Sequence, residues 1–265
     1  MGAMDQEFAE TGALVEMPMA GSLGLSALAG DVLGKPRAAT SWQSGLPLTF
    51  EAGSPVLPQD TAVRRVNLAL KRVLDVALSL AALVFLAPLL ILTALAVKAT
   101  SPGPVFFVQM RPGYKGTMFP MLKFRTMYAD LGDASGVKQT VANDPRVTPI
   151  GTFLRKTSID ELPQLINILL GHMSLVGPRP HPANMRAGGM AYEELVPYYD
   201  VRYEMRPGLS GWAQANGYRG PTVDAASARD RIAHDVAYIQ NFSVWLDIRV
   251  ILTTLRKEFL GGSGF

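Results

Sequence analysis

The chain's polar and apolar positions divide it into three stretches. From Val76 to Val97 there is no charged residue, and Pro88 stands at the centre of the run. As a straight helix at about 1.5 Å per residue the run would reach roughly 33 Å, enough to cross a bilayer. Proline removes one helix hydrogen bond and bends the chain, leaving two halves of about 18 Å each. Arg64, Arg65, Lys71 and Arg72 precede the run and Lys98 closes it, so both flanks favour the same, cytoplasmic side. A helix that enters one leaflet, breaks at Ala87-Pro88 and returns satisfies both flanks. A kinked single span is the alternative that length alone allows.

Beyond Ser101 the pattern becomes mixed. Alternation predicts strands over Val105 to Met110 and Met118 to Phe124, with a hairpin turn at Arg111-Pro112-Gly113 and Lys115-Gly116. Helical spacing predicts Ile159 to Leu170, closed by Gly171, then Tyr192 to Tyr203, stopped by Arg206-Pro207-Gly208. Two further helices follow, Ala225 to Asn241 and Ser243 to Leu260. The last carries Trp245, Ile248, Leu252, Leu255 and Phe259 on one face and Arg249, Arg256 and Lys257 elsewhere, a pattern that suits a membrane surface or the core equally. Before Thr61 the chain is rich in Gly, Ala, Ser and Pro without a period, which predicts disorder. The fold class expected is mixed, helix-rich α/β. Its parts are a low-complexity tail (1–62), a re-entrant membrane helix (63–100) and a small domain (101–265) with a short β-hairpin and amphipathic helices.

Composition narrows the chemistry. The first 60 residues sum to −5 and the remainder to +8. A basic domain beside an apolar run favours anionic headgroups, phosphates or nucleotides, although a solvated basic surface has the same composition. With no cysteine there is no disulfide, thiolate zinc site or cysteine nucleophile. His172, His181 and His234 lack metal-ligand spacing, so any metal would have oxygen ligands.

Within this basic domain Asp160 and Glu161 form an adjacent carboxylate pair at a helix start. If Ser158 were the cap of a Ser-x-x-Glu box, Pro163 would fall where its missing N–H loses a bond; with Asp160 at the cap that N–H is free anyway, which favours Asp160. The helix dipole then keeps Asp160 ionised, though ordinary caps have this composition too. Around the pair stand Lys123, Arg125, Arg146, Arg155 and Arg179, each near a turn or proline. A carboxylate attacks phosphorus only when the repulsion between the two anions is screened, a task for arginines and a divalent ion.

These residues carry a resemblance. Lys71-Arg72-Val73-Leu74-Asp75, Lys123-Phe124-Arg125-Thr126-Met127, Asn143 to Thr148, Leu154 to Gln164 and Ser174 to Pro180 resemble the monotopic phosphoglycosyl transferases, the bacterial sugar transferases. The segments Arg206 to Trp212 and Asn216 to Gly220 are similar to the larger exopolysaccharide initiators. Those relatives carry spanning helices and a soluble domain where this chain has its tail, and Ala87 replaces the serine usual before the proline in smaller ones.

The resemblance implies transfer of a sugar 1-phosphate from a UDP-sugar to polyprenyl (undecaprenyl) phosphate at the cytoplasmic face of the bacterial inner membrane. Asp160 would be the nucleophile and a ligand of Mg²⁺, with Glu161 assisting. Arg155, Lys123, Arg125 and Arg146 would bind substrate phosphate, and Pro178, Arg179 and Pro180 would shape the nucleotide-sugar pocket. Membrane lipids are expected partners, a homodimer is compatible, and nucleic acid is not expected. A non-catalytic membrane-anchored assembly partner on the same scaffold, or a nucleotide-binding regulator, is the rival reading.

Overall fold

The computed structural model of the chain describes residues 45–131, 140–141, 143–220, 222 and 224–261. Its first long element is helix α1, Ala62–Thr100, started by Thr61, whose side chain accepts from the Arg64 N–H at 3.1 Å. One face of α1, at Lys71, Asp75, Ser79, Thr93 and Val97, is buried against the domain, at the spacing of successive helical turns. The other face, including Val84, Phe85, Ile91, Leu92 and Leu95, is exposed and apolar. By length and composition α1 could cross a membrane.

The break expected at Ala87-Pro88 is not one between two helices, because helical structure continues through Pro88. A proline removes a single bond, and α1 is packed on both sides of it. Leu83 contacts the Phe119, Leu165 and Met173 cluster, and Leu90 and Ala94 contact the Val97, Phe124 and Leu154 cluster.

The expected disordered tail is also too long. Residues 1–44 lie outside the described residues, but strand β1, Phe50–Glu51, pairs antiparallel with β2, Ser54–Pro55. This small hairpin docks on the far end of the chain. Gln240 accepts from the Thr49 N–H at 2.9 Å and donates to Val56 O at 2.9 Å, Asn241 donates to Pro47 O at 2.6 Å, and Leu48 is buried.

The predicted hairpin is present as β3, Phe106–Pro112, and β4, Met118–Phe124, paired from Phe106 with Phe124 to Pro112 with Met118. Helix α2, Pro149–Lys156, starts at Thr148, whose hydroxyl accepts from Gly151 N–H at 3.0 Å with Pro149 at the first position. The expected helix start at Asp160 is revised. Ile159–Glu161 forms a 3₁₀ turn, and helix α3, Gln164–Leu169, begins after Pro163. Gly171 ends it with φ +86°, as expected of a residue after the C-cap.

Strand β5, Ser174–Val176, pairs parallel with β8, Gly208–Ser210. The two backbones approach so closely beyond the pairing that a Cβ on Gly208 would lie 2.1 Å from Gly177 N, so only glycine fits. That contact anchors the turn at Pro178-Arg179-Pro180. Between these strands come β6, Arg186–Ala187, β7, Met190–Ala191, helix α4, Tyr192–Leu195, and a 3₁₀ segment, Tyr199–Glu204. The single helix expected over Tyr192 to Tyr203 is split because Pro197 keeps Val196 extended. Helices α5, Trp212–Ala215, α6, Ala225–Gln240, and α7, Val244–Gly261, complete the fold. α6 is central to the core, with Ala228, Ile232 and Val236 fully buried against Tyr192 and Tyr199, and Tyr238 and Ile239 against Trp212.

Candidate active site

The fold treats the two adjacent carboxylates in opposite ways. After α2, Ser158 takes a left-handed backbone with φ +56°, a conformation that costs a non-glycine residue about 1 kcal/mol or more. It turns the chain so that Asp160 lines a cavity of about 780 Å³ while Glu161 meets two cations. Lys123 on β4 donates to Glu161 Oε1 at 2.7 Å, and Arg179 holds both oxygens, Nη1 donating to Oε2 at 3.2 Å and Nη2 to Oε1. Burial opposes the Glu161 charge, but Arg179 and Lys123 outweigh it and keep the carboxyl well below the usual carboxylate range.

Asp160 is buried yet makes no hydrogen bond or ion pair among the described residues. Burial pushes its carboxyl up to about 6, with Lys123, Arg155 and Arg179 pulling the other way and Glu161 adding to the rise. At neutral pH it is ionised, poorly solvated and uncommitted, the condition of a nucleophile. Two titratable neighbours pushed apart by their surroundings have separate roles.

Of the other expected phosphate ligands, Arg155 and Arg146 line the same cavity. Arg155 donates from Nε to Thr126 Oγ1 and from Nη1 to Thr140 Oγ1, each at 2.8 Å; burial lowers its pKa and Asp160 opposes the drop. Arg146 is paired with Asp144, Nη2 donating to Oδ2 at 2.6 Å, and its hydrogen bonds hold the Asp144 carboxyl far down.

Arg125 also lines the cavity, but its guanidinium serves the end of α1, Nη2 donating to Ser101 O at 2.7 Å and Ser101 Oγ at 2.9 Å and Nη1 to Pro102 O. In the proline turn, Arg179 and Pro180 line the cavity and Pro178 lies behind it, accepting from Gly208 N–H at 3.0 Å. Arg202 supports the turn by donating to Arg179 O while its Nε pairs with buried Asp235 at 2.8 Å.

Sequence reading missed Arg111, Arg231, Gln164, His181 and Gln214 as cavity residues. Arg111 could have been found, since it shares the inward-facing parity of β3 with buried Gln109. The others come from separate elements that only the fold brings together. His181 is neutral, its pKa driven well down by burial and then by Arg202, Arg231 and Arg111. Overall the lining carries more cations than anions, so the cavity attracts an anionic ligand.

Among the described residues no three His, Asp or Glu side chains cluster to chelate a metal. Glu161 and Asp144 have their oxygens taken by cations, so Asp160 is the cavity carboxylate left to bind one. That fits Mg²⁺, which keeps several waters and takes one or two carboxylates plus substrate phosphates.

Residues 66–261 match the family described as Bacterial sugar transferase. The chain is 56% identical over 199 residues to the exopolysaccharide production protein PSS of Rhizobium leguminosarum bv. phaseoli, which covers 75% of this chain and all of that protein. It is 47% identical over 208 residues to the UDP-glucose:undecaprenyl-phosphate glucose-1-phosphate transferase of Caulobacter vibrioides, covering 78% of this chain and 74% of that one. Against the Escherichia coli K12 protein of the same name identity is 44% over 214 residues, 80% of this chain but 45% of the relative. The chain thus spans the whole of the first relative and less than half of the last.

Proposed function

The chain belongs to the bacterial sugar transferase family, and from that premise we propose that it moves a sugar 1-phosphate from a UDP-sugar to polyprenyl phosphate, releasing UMP. The observation that carries this reading is the uncommitted Asp160 carboxylate in a cation-lined cavity beside a Glu161 whose oxygens are both occupied. Donor and acceptor follow the names of the Caulobacter and E. coli relatives.

An Asp160 oxygen attacks the β-phosphorus of the donor. The bond from that phosphorus to the oxygen bridging to the α-phosphate breaks, and UMP leaves with the bonding pair. The sugar phosphate remains on Asp160 as a mixed anhydride. An oxygen of polyprenyl phosphate then attacks the same phosphorus, the bond to Asp160 breaks, and the carboxylate is restored. Arg155, Lys123 and Arg179 offset the charge of the phosphates. Glu161 holds Lys123 and Arg179 in place, a positioning role. Asp160 is the residue that would hold Mg²⁺, which would supply screening of the repulsion between the two anions.

The lipid acceptor requires a cavity beside a bilayer. Supporting this, the hairpin before α1 is docked on α6, after it, and α1 packs along the same body while exposing an apolar face. That arrangement supports a monotopic protein, and the basic flanks of α1 favour the cytoplasmic face. A non-catalytic assembly partner would have no need of an unpartnered, desolvated carboxylate.

The test is incubation of the purified protein with UDP-glucose, Mg²⁺ and undecaprenyl phosphate. UMP release is expected, and without lipid a phosphohexose should appear on Asp160 by mass spectrometry. Asp160→Asn should abolish both and keep the fold. UMP release at the parent rate in that variant would overturn the nucleophile.

A further inference from the structure

Among the described residues, buried polar atoms of five side chains that line the cavity lack partners: Arg125 Nε beside the end of α1, and Gln164 Nε2, His181 Nε2, Gln214 Oε1 and Arg231 Nε, the four considered together here. The four residues are 1%, 3%, 6% and 6% exposed, and an unpaired buried polar group costs about 1–3 kcal/mol. Several such costs on residues lining one cavity call for a common explanation. Other atoms of these side chains are engaged and hold them in place. His181 Nδ1 meets the Tyr199 hydroxyl at 3.2 Å, Arg231 Nη2 donates to Gly220 O at 2.8 Å, and Gln214 Nε2 donates to Leu209 O at 3.4 Å.

The unpaired set mixes donors, from the Gln164 amide and the guanidinium, with an acceptor, the Gln214 carbonyl. A phosphate only accepts and would leave Gln214 Oε1 unmatched, whereas hydroxyl groups both donate and accept. A flat base is better suited to apolar parts of the lining, which include Phe107, Tyr128 and Val147. The position fits as well. Gln164 lies four residues after Asp160, and Arg179, which grips Glu161, is within electrostatic reach of His181 and Arg231. The donor's sugar is bonded to the phosphorus that Asp160 attacks and must lie close by.

We propose that the wall formed by Gln164, His181, Gln214 and Arg231 reads the hydroxyl groups of the donor's sugar and so sets which UDP-sugar is used. This rests on the reading under Proposed function. A site built to hydrogen-bond a hydroxyl discriminates strongly against an analogue that misplaces it, because the protein groups are then left unpaired.

The experiment is calorimetric binding in an Asp160→Asn background, where turnover is blocked, with UDP, UDP-glucose, UDP-galactose and UDP-N-acetylglucosamine as ligands. Gln214→Met, nearly isosteric, and His181→Asn should each weaken the preferred UDP-sugar about tenfold, narrow the spread among UDP-sugars and leave UDP unchanged. If one variant does not fold, the other carries the same comparison. Equal weakening of UDP and every UDP-sugar, or no change in any, overturns the proposal. Absence of UDP-sugar binding in the parent overturns the donor assignment itself. Normal, sugar-selective binding without UMP release from the wild type would refute phosphotransfer and leave the sugar wall standing.

Discussion

Asp160 and Glu161 are neighbours in sequence that should respond with opposite sign to losing their charge. The Asp160 carboxyl stands at about 6 in the folded protein against an ordinary 3.8, so folding disfavours its ionised form. Below about pH 4 both states hold the proton and there is no penalty. Between 4 and 6 the unfolded chain releases it first, and above 6 the penalty is complete, up to about 3 kcal/mol. Asp160→Asn should therefore stabilise the protein by up to that amount at pH 7.5 and by almost nothing at pH 3. Glu161→Gln should do the reverse at pH 7.5, costing about 3 kcal/mol, because Lys123 and Arg179 are left largely buried without their counterion. Denaturant unfolding of the two variants in detergent decides it. A shift of the same sign in both would show that their environments do not differ.

The adjacent carboxylates and the cations around them were legible as residue types. The assignment of Arg125 to the α1 terminus was not, since it depends on carbonyls that only the fold brings to it.

Among the elements, α1 is fastened to the domain by a buried set of polar contacts. Lys71 donates to Asp247 at 2.5 Å and to Val176 O at 2.9 Å, and Tyr238 donates to the other Asp247 oxygen at 2.6 Å. One turn along, Asp75 accepts from Ser174 Oγ at 2.7 Å and Leu175 N–H at 2.9 Å. The Lys71-to-Asp75 motif is thus a joint between α1, β5 and α7. Lys71→Met would leave Asp247 buried without a cation, costing about 3–5 kcal/mol, and α1 should become open to proteolysis before the rest of the domain. Adding Asp247→Leu should recover part of the loss, because a buried pair replaced whole by apolar groups is tolerated far better than one half-removed. No recovery would mean that the Lys71–Asp247 pair is not what joins α1 to the domain.

Elements with a sustained period were the ones the pattern revealed. β4, α6 and α7 were located to within about a residue, and β3 begins one residue later and ends two later than the alternation predicts. The 3₁₀ turn at Asp160 and the two-residue strands β1 and β2 are too short to carry a period, so no alternation could mark them.

For the whole molecule, the docking of the N-terminal hairpin bears directly on which side of the bilayer each flank of α1 occupies. A spanning helix puts its two flanks in different compartments. Here Leu48 is packed into the same core cluster as Tyr192 and Ile232, and Pro47, Thr49 and Val56 hydrogen-bond to Gln240 and Asn241. If α1 crossed, that hairpin would have to be pulled out, exposing Leu48 and unpairing four hydrogen bonds. The chain has no cysteine, so Ser54→Cys and Lys156→Cys, both exposed and one on each side of α1, are clean single labels. In sealed inverted vesicles a membrane-impermeant maleimide should reach both, and in right-side-out vesicles neither. Phe85→Cys, on the exposed apolar face, should resist the reagent from either side because that face is covered by lipid. Labelling of Ser54→Cys and Lys156→Cys from opposite sides would mean that α1 spans the bilayer and that the docked hairpin does not persist in the membrane.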